Sequence, residues 1–439
     1  MKKFIDEIKN KVLIYDGSKG YLLQKLGMGG GECSELWNVE HREEVKDIYR
    51  AYKNAGSDII QTNTFPGNRI YLDKYSLGDR TYELNYEGAR LAREVMGDDG
   101  YVAASIGPTG KLLEPFGDLT FDHACEVFGE QVKALVDGGV DIINFETFTD
   151  IAEMRAALLA AREVTNLPVI CSMAFESNGK TLMGTDPYIA VVILKSLGAD
   201  MIGTNCSFGP ENMLEIVGKM SQAGDVYLSV KPNAGLPEII NDEIIYGESV
   251  EKFAAITMEY VKCGARLVGG CCGTTPEFIR AIREKITRAD VPSIINKSEK
   301  LITSGTKLLN ISSLQGANTG HINTETDNKL SNEFKKGSLE YITDKSMEIA
   351  YEGYDVVCIN VDSISEDKHL LSKVVSIAQS YIKEPLIIET RECEALAEAL
   401  RLYNGIAGVV ADSNSKDYEK LIEVINKFGS TLIDKSLLG

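Results

Sequence analysis

Cys206, Cys271 and Cys272 stand at the ends of two short apolar runs, residues 201–206 and 267–272. Thiolates are soft ligands that favour zinc, and three protein ligands with one open position is the pattern of a catalytic rather than a structural site. Neighbouring side chains of a regular strand point to opposite faces, so Cys271 and Cys272 can share one ion only if the backbone leaves strand geometry there. Gly269, Gly270 and Gly273 in GGCCGTTP supply that freedom, and Thr275-Pro276 reads as the entry to a helix. A single free cysteine is more often a small buried hydrophobe. Three at matched run ends outweigh that reading.

Zinc held by three thiolates carries a net negative formal charge and activates water poorly. It suits a different task, keeping a substrate thiol deprotonated yet nucleophilic toward an electrophilic carbon. The four histidines, His41, His123, His321 and His369, lie in or near helical or loop segments. No histidine-based nucleophile system is visible.

These cysteines must be positioned by a repeating scaffold. Eight β-rich runs, at 12–16, 58–64, 101–107, 141–146, 168–174, 200–206, 225–231 and 267–272, alternate with helix-period segments, several of which end in Gly. Strand–helix alternation implies parallel pairing through right-handed crossovers, and eight units in about 290 residues match a closed (β/α)8 TIM barrel. An open doubly wound sheet is the alternative. A barrel gathers its active site at the C-terminal ends of its strands. There the sequence places Asp16 and Gly17, Thr62, Glu146, Cys206, Asn233 and the Cys271–Cys272 pair.

Two carboxylates at a barrel mouth give an α-ammonium group charge-assisted partners, and backbone amides in a glycine turn suit a carboxylate. Asp16 in Asp-Gly and Asn233 in Pro-Asn-Ala-Gly also read as ordinary turn formers. Glu146 closes an apolar strand, where a carboxylate needs a partner.

The chain has 439 residues, enough for two domains, and 44% of them are apolar. Its 65 acidic against 46 basic residues, a net charge of −19, argue against nucleic acid as a partner. The first residues alternate charged and apolar side chains, and no run is long enough to span a bilayer, so no membrane association is expected. Nine cysteines are too sparse for a disulfide scaffold, which fits reduced thiols and a cytoplasmic location.

In order along the chain, DGSKGYLLQ from Asp16, QTNTF from Gln61, NFET from Asn144, GTNCS from Gly203, KPNAG from Lys231 and GGCCGTTP from Gly269 carry a resemblance. Residues 1–292 resemble the homocysteine-binding, zinc-dependent methyltransferase domain of the cobalamin-dependent methionine synthase family and its relatives using betaine or S-methylmethionine. The resemblance implies that Cys206, Cys271 and Cys272 hold Zn2+, with L-homocysteine sulfur as the fourth ligand. It further implies that Asp16 and Glu146 bind the substrate ammonium, that the backbone at Gly17 and Thr62 receives its carboxylate, and that Asn233 approaches the metal when substrate is absent. Ser18-Lys19-Gly20-Tyr21 departs from the small residue and Gly-Thr usual after the Asp-Gly, altering the pocket mouth. Phe65-Pro66 lacks the tyrosine of betaine-using relatives, which disfavours betaine.

Residues 293–306 read as a linker, and 315–336 has a second loop-like composition rich in Asn, Thr, Ser and Gly. Strand-like runs at 307–311, 354–361, 385–390, 405–411 and 430–433 make residues 307–439 a smaller α/β domain. Asn360 and Asp362 in CINVDS and the PLIIET run resemble half of a pterin-binding barrel. A Glu-Arg-Thr-Asn segment has no counterpart in LLNISSLQGANTG, and Cys358 replaces an acidic position, which argues against intact folate binding. Half a barrel leaves sheet edges open, so packing on a second copy, a partner or the first barrel is expected. The expected activity is methyl transfer to homocysteine from a sulfonium compound or a methylated corrinoid. With no room after residue 433 for a corrinoid domain, methylcobalamin would arrive on a partner corrinoid protein. The alternatives are a non-catalytic homocysteine- or zinc-responsive module and methylation of another thiol.

Overall fold

The computed structural model describes residues 2–240, 243–286, 299–364, 367–413 and 416–438. It divides into two compact units, Met1–Met183 with Ala199–Lys297, and Gly184–Gly198 with Ser298–Gly439.

The first unit holds the strands β1 Leu13–Ile14, β2 Ile59–Gln61, β3 Tyr101–Ile106, β4 Ile142–Phe148, β5 Val169–Met173, β6 Met201–Asn205, β7 Leu228–Lys231, β8 Pro237–Ile240, β9 Glu243–Tyr246 and β10 Ala265–Val268. Eight of them form one sheet in the order β1-β10-β7-β6-β5-β4-β3-β2. Every pairing in it is parallel. Tyr15 bridges Ile59 in parallel, joining the two ends and closing the sheet into a (β/α)8 barrel. The open-sheet alternative is thereby set aside. β8 and β9 are an antiparallel hairpin between β7 and the helix Val250–Lys262, an element absent from the expected set.

Apolar strand starts build the core. Leu13, Ile59, Ala103, Ile142, Ile170, Met201 and Leu267 cluster with Phe4 and Ile8 of the helix Lys2–Ile8. Two residues further along four of these strands, β2 to β5, on the same face, the side chains turn polar: Gln61, Ser105, Asn144 and Ser172 are all buried. Polarity thus rises along the barrel toward the strand ends, where the chemistry expected from the sequence lies.

The second unit contains β11 Leu301–Thr303 and β12 Leu308–Asn310, paired antiparallel, then β13 Thr319–Asn323, β14 Val356–Asn360, β15 Leu386–Glu389, β16 Gly408–Val410 and β17 Thr431–Ile433. The last five form a parallel sheet in chain order, as an arc of a barrel would. Three expectations need correction. The run 307–311 pairs as an antiparallel hairpin strand, not as the first strand of the parallel sheet. Residues 315–336 are not a loop: they contain β13 and the helix Asn328–Lys335, whose Leu330 and Phe334 are buried and whose first turn is capped by Asp327. Polar composition hid a strand and a helix that each bury only a few apolar side chains. In the expected linker 293–306, residues 293–298 lie outside the described residues, and Leu301–Thr303 is a buried strand. Compactness follows contacts rather than chain order, so the helix Pro187–Ser196 groups with this second unit.

Candidate active site

β6 ends at Asn205, and Cys206 follows in the left-handed region with φ of 60°. β10 ends at Val268, so Cys271 and Cys272 lie past the strand and escape its alternation. Gly273 takes φ of 77°, and a Cβ there would sit 2.2 Å from the Tyr246 ring. Only glycine allows that turn. As a result the three sulfurs converge: all lie within 4.8 Å of one another, with Cys206 Sγ 3.3 Å from Cys272 Sγ. Tetrahedral zinc with Zn–S bonds of about 2.3 Å would separate its sulfurs by about 3.8 Å. The cluster fits such an ion with small side-chain adjustments.

Its electrostatics fit as well. Hydrogen bonds from Cys206 and Cys271 lower the Cys272 thiol to about 3, and the same sharing pushes Cys206 well up. One thiolate forms easily and further ones repel it, a cost that a bound dication removes.

Asn233 holds the two cysteine segments together. Its Oδ1 accepts from Cys272 N at 3.1 Å and its Nδ2 donates to Cys206 O at 3.2 Å. Both ends of the amide are thus engaged with backbone in this arrangement. Behind the sulfurs, Asn205 Nδ2 lies 3.6 Å from Cys271 Sγ and donates to Thr147 Oγ1 at 2.8 Å, while its Oδ1 accepts from Thr147 N at 2.8 Å. Thr147 has φ of 68°, a costly conformation for a β-branched residue.

A cavity of about 410 Å³ opens beside the sulfurs, lined among others by Gly17, Lys19, Thr62, Glu146, Tyr246 and all three cysteines. The hairpin β8–β9 brings Tyr246 to this wall. Of the residues expected from the sequence, Gly17, Thr62, Glu146, Cys206, Cys271 and Cys272 meet here, whereas Asp16 and Asn233 stand just behind the lining. Thr62 N–H is already bonded to Ala103 O at 2.9 Å. Asp16 is fully buried; its Oδ2 accepts from Gln61 N at 2.9 Å and Lys19 Nζ at 3.2 Å, and its Oδ1 has no partner among the described residues. Burial raises its carboxyl from the ordinary range, opposed by the Lys19 ammonium.

Glu146 sits in a network that sequence reasoning missed. Its Oε1 accepts from Gln61 Nε2 at 2.7 Å and from Ser105 Oγ, and its Oε2 accepts from Lys231 Nζ. Gln61 and Lys231 lie inside QTNTF and KPNAG. Their positions as the last residues of β2 and β7, at the strand ends where a barrel gathers its site, were the available signal.

This barrel, its three converging thiols and its cavity can be set beside known proteins. A model of the homocysteine S-methyltransferase family matches residues 13–286. The chain belongs to the homocysteine S-methyltransferase family. Among its relatives, methionine synthase of Mycobacterium tuberculosis (strain ATCC 25618 / H37Rv) is 28% identical over 458 residues, covering 98% of this chain and 37% of that protein. Methionine synthase of Mycobacterium leprae (strain TN) is 31% identical over 320 residues, covering 68% of this chain and 26% of that protein. The chain thus spans between about a quarter and little more than a third of the length of these curated relatives. The metallated form of the homocysteine methyltransferase MmuM from Escherichia coli superposes with a TM-score of 0.55 at 22% identity, over 65% of this chain and 99% of that one. That likeness shows the barrel fold of the homocysteine S-methyltransferases. No described helix is long and apolar enough to cross a membrane.

Proposed function

We propose that the first unit moves a methyl group to the thiol of L-homocysteine, giving methionine, with Zn2+ held by Cys206, Cys271 and Cys272. The convergence of three sulfurs from two strand ends beside one cavity carries this reading. Zinc bound there supplies an open position at which a substrate thiol is kept deprotonated and nucleophilic near neutral pH. The new bond joins sulfur to the methyl carbon, and the bond between that carbon and the donor breaks with its electron pair leaving on the donor. A sulfonium compound or a methylated corrinoid provides such a leaving group.

The chain's own residues orient the acceptor. Glu146, held by Gln61, Ser105 and Lys231, presents a carboxylate whose remaining lone pair can accept the substrate ammonium. From just behind the lining, Asp16 adds a second negative charge on the ammonium's side, its Oδ1 without a partner among the described residues. Gly17 and Thr62 form the wall beside which the substrate carboxylate rests. Asn233 keeps the two cysteine segments in register, and release of its amide from those backbones would let it approach the metal when substrate is absent. In the second unit, the parallel sheet in chain order supports relation to part of a pterin-binding barrel. There Asp362 is engaged by Thr390 Oγ1 at 2.6 Å and Arg391 N at 2.9 Å.

The test is methionine formation from L-homocysteine by zinc-loaded protein, with S-methylmethionine and methylcobalamin offered separately. Product from either donor supports the reading. Zinc-loaded protein that fails to bind homocysteine would sink it.

A further inference from the structure

Charged groups are scarce in the cavity wall. Among the described residues that line it, Lys19 is the only cation and Glu146 the only carboxylate, and the three sulfurs complete the set. Lys19 begins the helix Lys19–Lys25, and its side chain keeps 12% of its exposure. Its Nζ rests 3.2 Å from Asp16 Oδ2, which is fully buried, so its charge is held at the wall by a partner that cannot reach water. An ammonium has three donors. One faces Asp16, leaving others to turn toward the cavity.

The backbone offers less than the sequence suggests. Thr62 N–H is committed to Ala103 O, and Asn63 N–H donates to Tyr49 Oη at 2.7 Å. A substrate carboxylate at this wall therefore meets a side-chain cation before it meets those amides.

Resting on the amino-acid thiol reading above, we propose that Lys19 is a specificity residue that pairs with the substrate's α-carboxylate. The cavity then reads three features of one molecule: an ammonium by Glu146, a carboxylate by Lys19 and a thiol by the cysteine cluster. With Asp16 behind Lys19 and the substrate carboxylate in front, charges alternate in sign, so the zwitterion enters without leaving a like-charge contact. Thiols that carry an amine but no carboxylate lose this contact.

The experiment measures calorimetric affinity of the zinc-loaded protein for L-homocysteine and for its decarboxylated analogue, 3-aminopropane-1-thiol. In wild type the amino acid is expected to bind about 10- to 100-fold tighter, the range for one charge-assisted pair. Lys19→Met is expected to erase that preference by weakening homocysteine alone, and Lys19→Arg to restore most of it. Equal binding of the two thiols by wild type overturns the proposal without needing any variant to fold. An equal loss for both thiols in Lys19→Met, indicating general damage to the wall, overturns it too. If wild type binds neither thiol, the amino-acid thiol reading itself fails and takes this inference with it.

Discussion

The ammonium of Lys231 donates to the carboxylate of Glu146 inside the barrel, where their side chains keep 1% and 8% of their exposure. Lys231 Nζ also reaches Gln61 Oε1 at 2.9 Å and lies 4.7 Å from the centre of the Tyr15 ring. Such a pair offsets its desolvation only while both charges are present. Lys231→Met should cost about 3–5 kcal/mol of unfolding free energy by stranding Glu146. Adding Glu146→Gln should recover much of it. Denaturant melts of wild type and both variants check this, and a single variant within about 1 kcal/mol of wild type would mean that the pair behaves as a solvated one.

Removing one of three sulfurs leaves two ligands, too few for a tightly held zinc. Cys272→Ala should therefore lose stoichiometric zinc in metal analysis after dialysis, while a far-ultraviolet spectrum reports an intact fold. Full retention of one zinc per chain would remove the site assignment.

Asn205 ties Cys271 to the left-handed Thr147 through three contacts of its side-chain amide. Groups behind metal ligands typically affect affinity by about 10- to 100-fold. Asn205→Ala should weaken zinc by a similar factor in competition with a chromogenic chelator. Unchanged affinity would show that Cys271 is positioned by its backbone bonds alone, such as Cys271 N to Pro232 O at 2.8 Å.

Glu35 is buried beside Cys33 and Ser34, both of which donate to it, and burial raises its carboxyl from 4.5 to about 7. Between those pH values the folded chain keeps a proton that the unfolded chain has released. Stability contributed by this group is therefore lost as pH rises from about 4.5 to about 7, and it stays lost above that. Glu35→Gln, neutral throughout, should gain about 1–3 kcal/mol on wild type near pH 8 and little near pH 5. Thermal melts at the two pH values decide it; an equal offset at both would rule out titration of Glu35.

The barrel was legible because its signals are local. Apolar runs such as 201–206 end where the chemistry begins, and glycines mark the turns. Strand lengths were less so: β1 and β10 stop short of Asp16 and Cys271, and those ends are set by where neighbouring strands cease to pair. In the second unit, β13 buries only alternate residues among polar ones and reads as loop until its partner β14 is present.

The amino-acid sequence by itself determined the three sulfurs, their glycine-rich turn, the repeating strand–helix order and the family. Each of these is a property of residues adjacent in the chain. Only the tertiary structure decided that Lys231 occupies Glu146 from 85 residues away, that Asn233 bonds the backbones of both cysteine segments, and that Lys19 is the one cation among the described residues lining the cavity. Barrel closure brings those groups together, and once buried their charges and amides must find partners across strands, a requirement that no local pattern records.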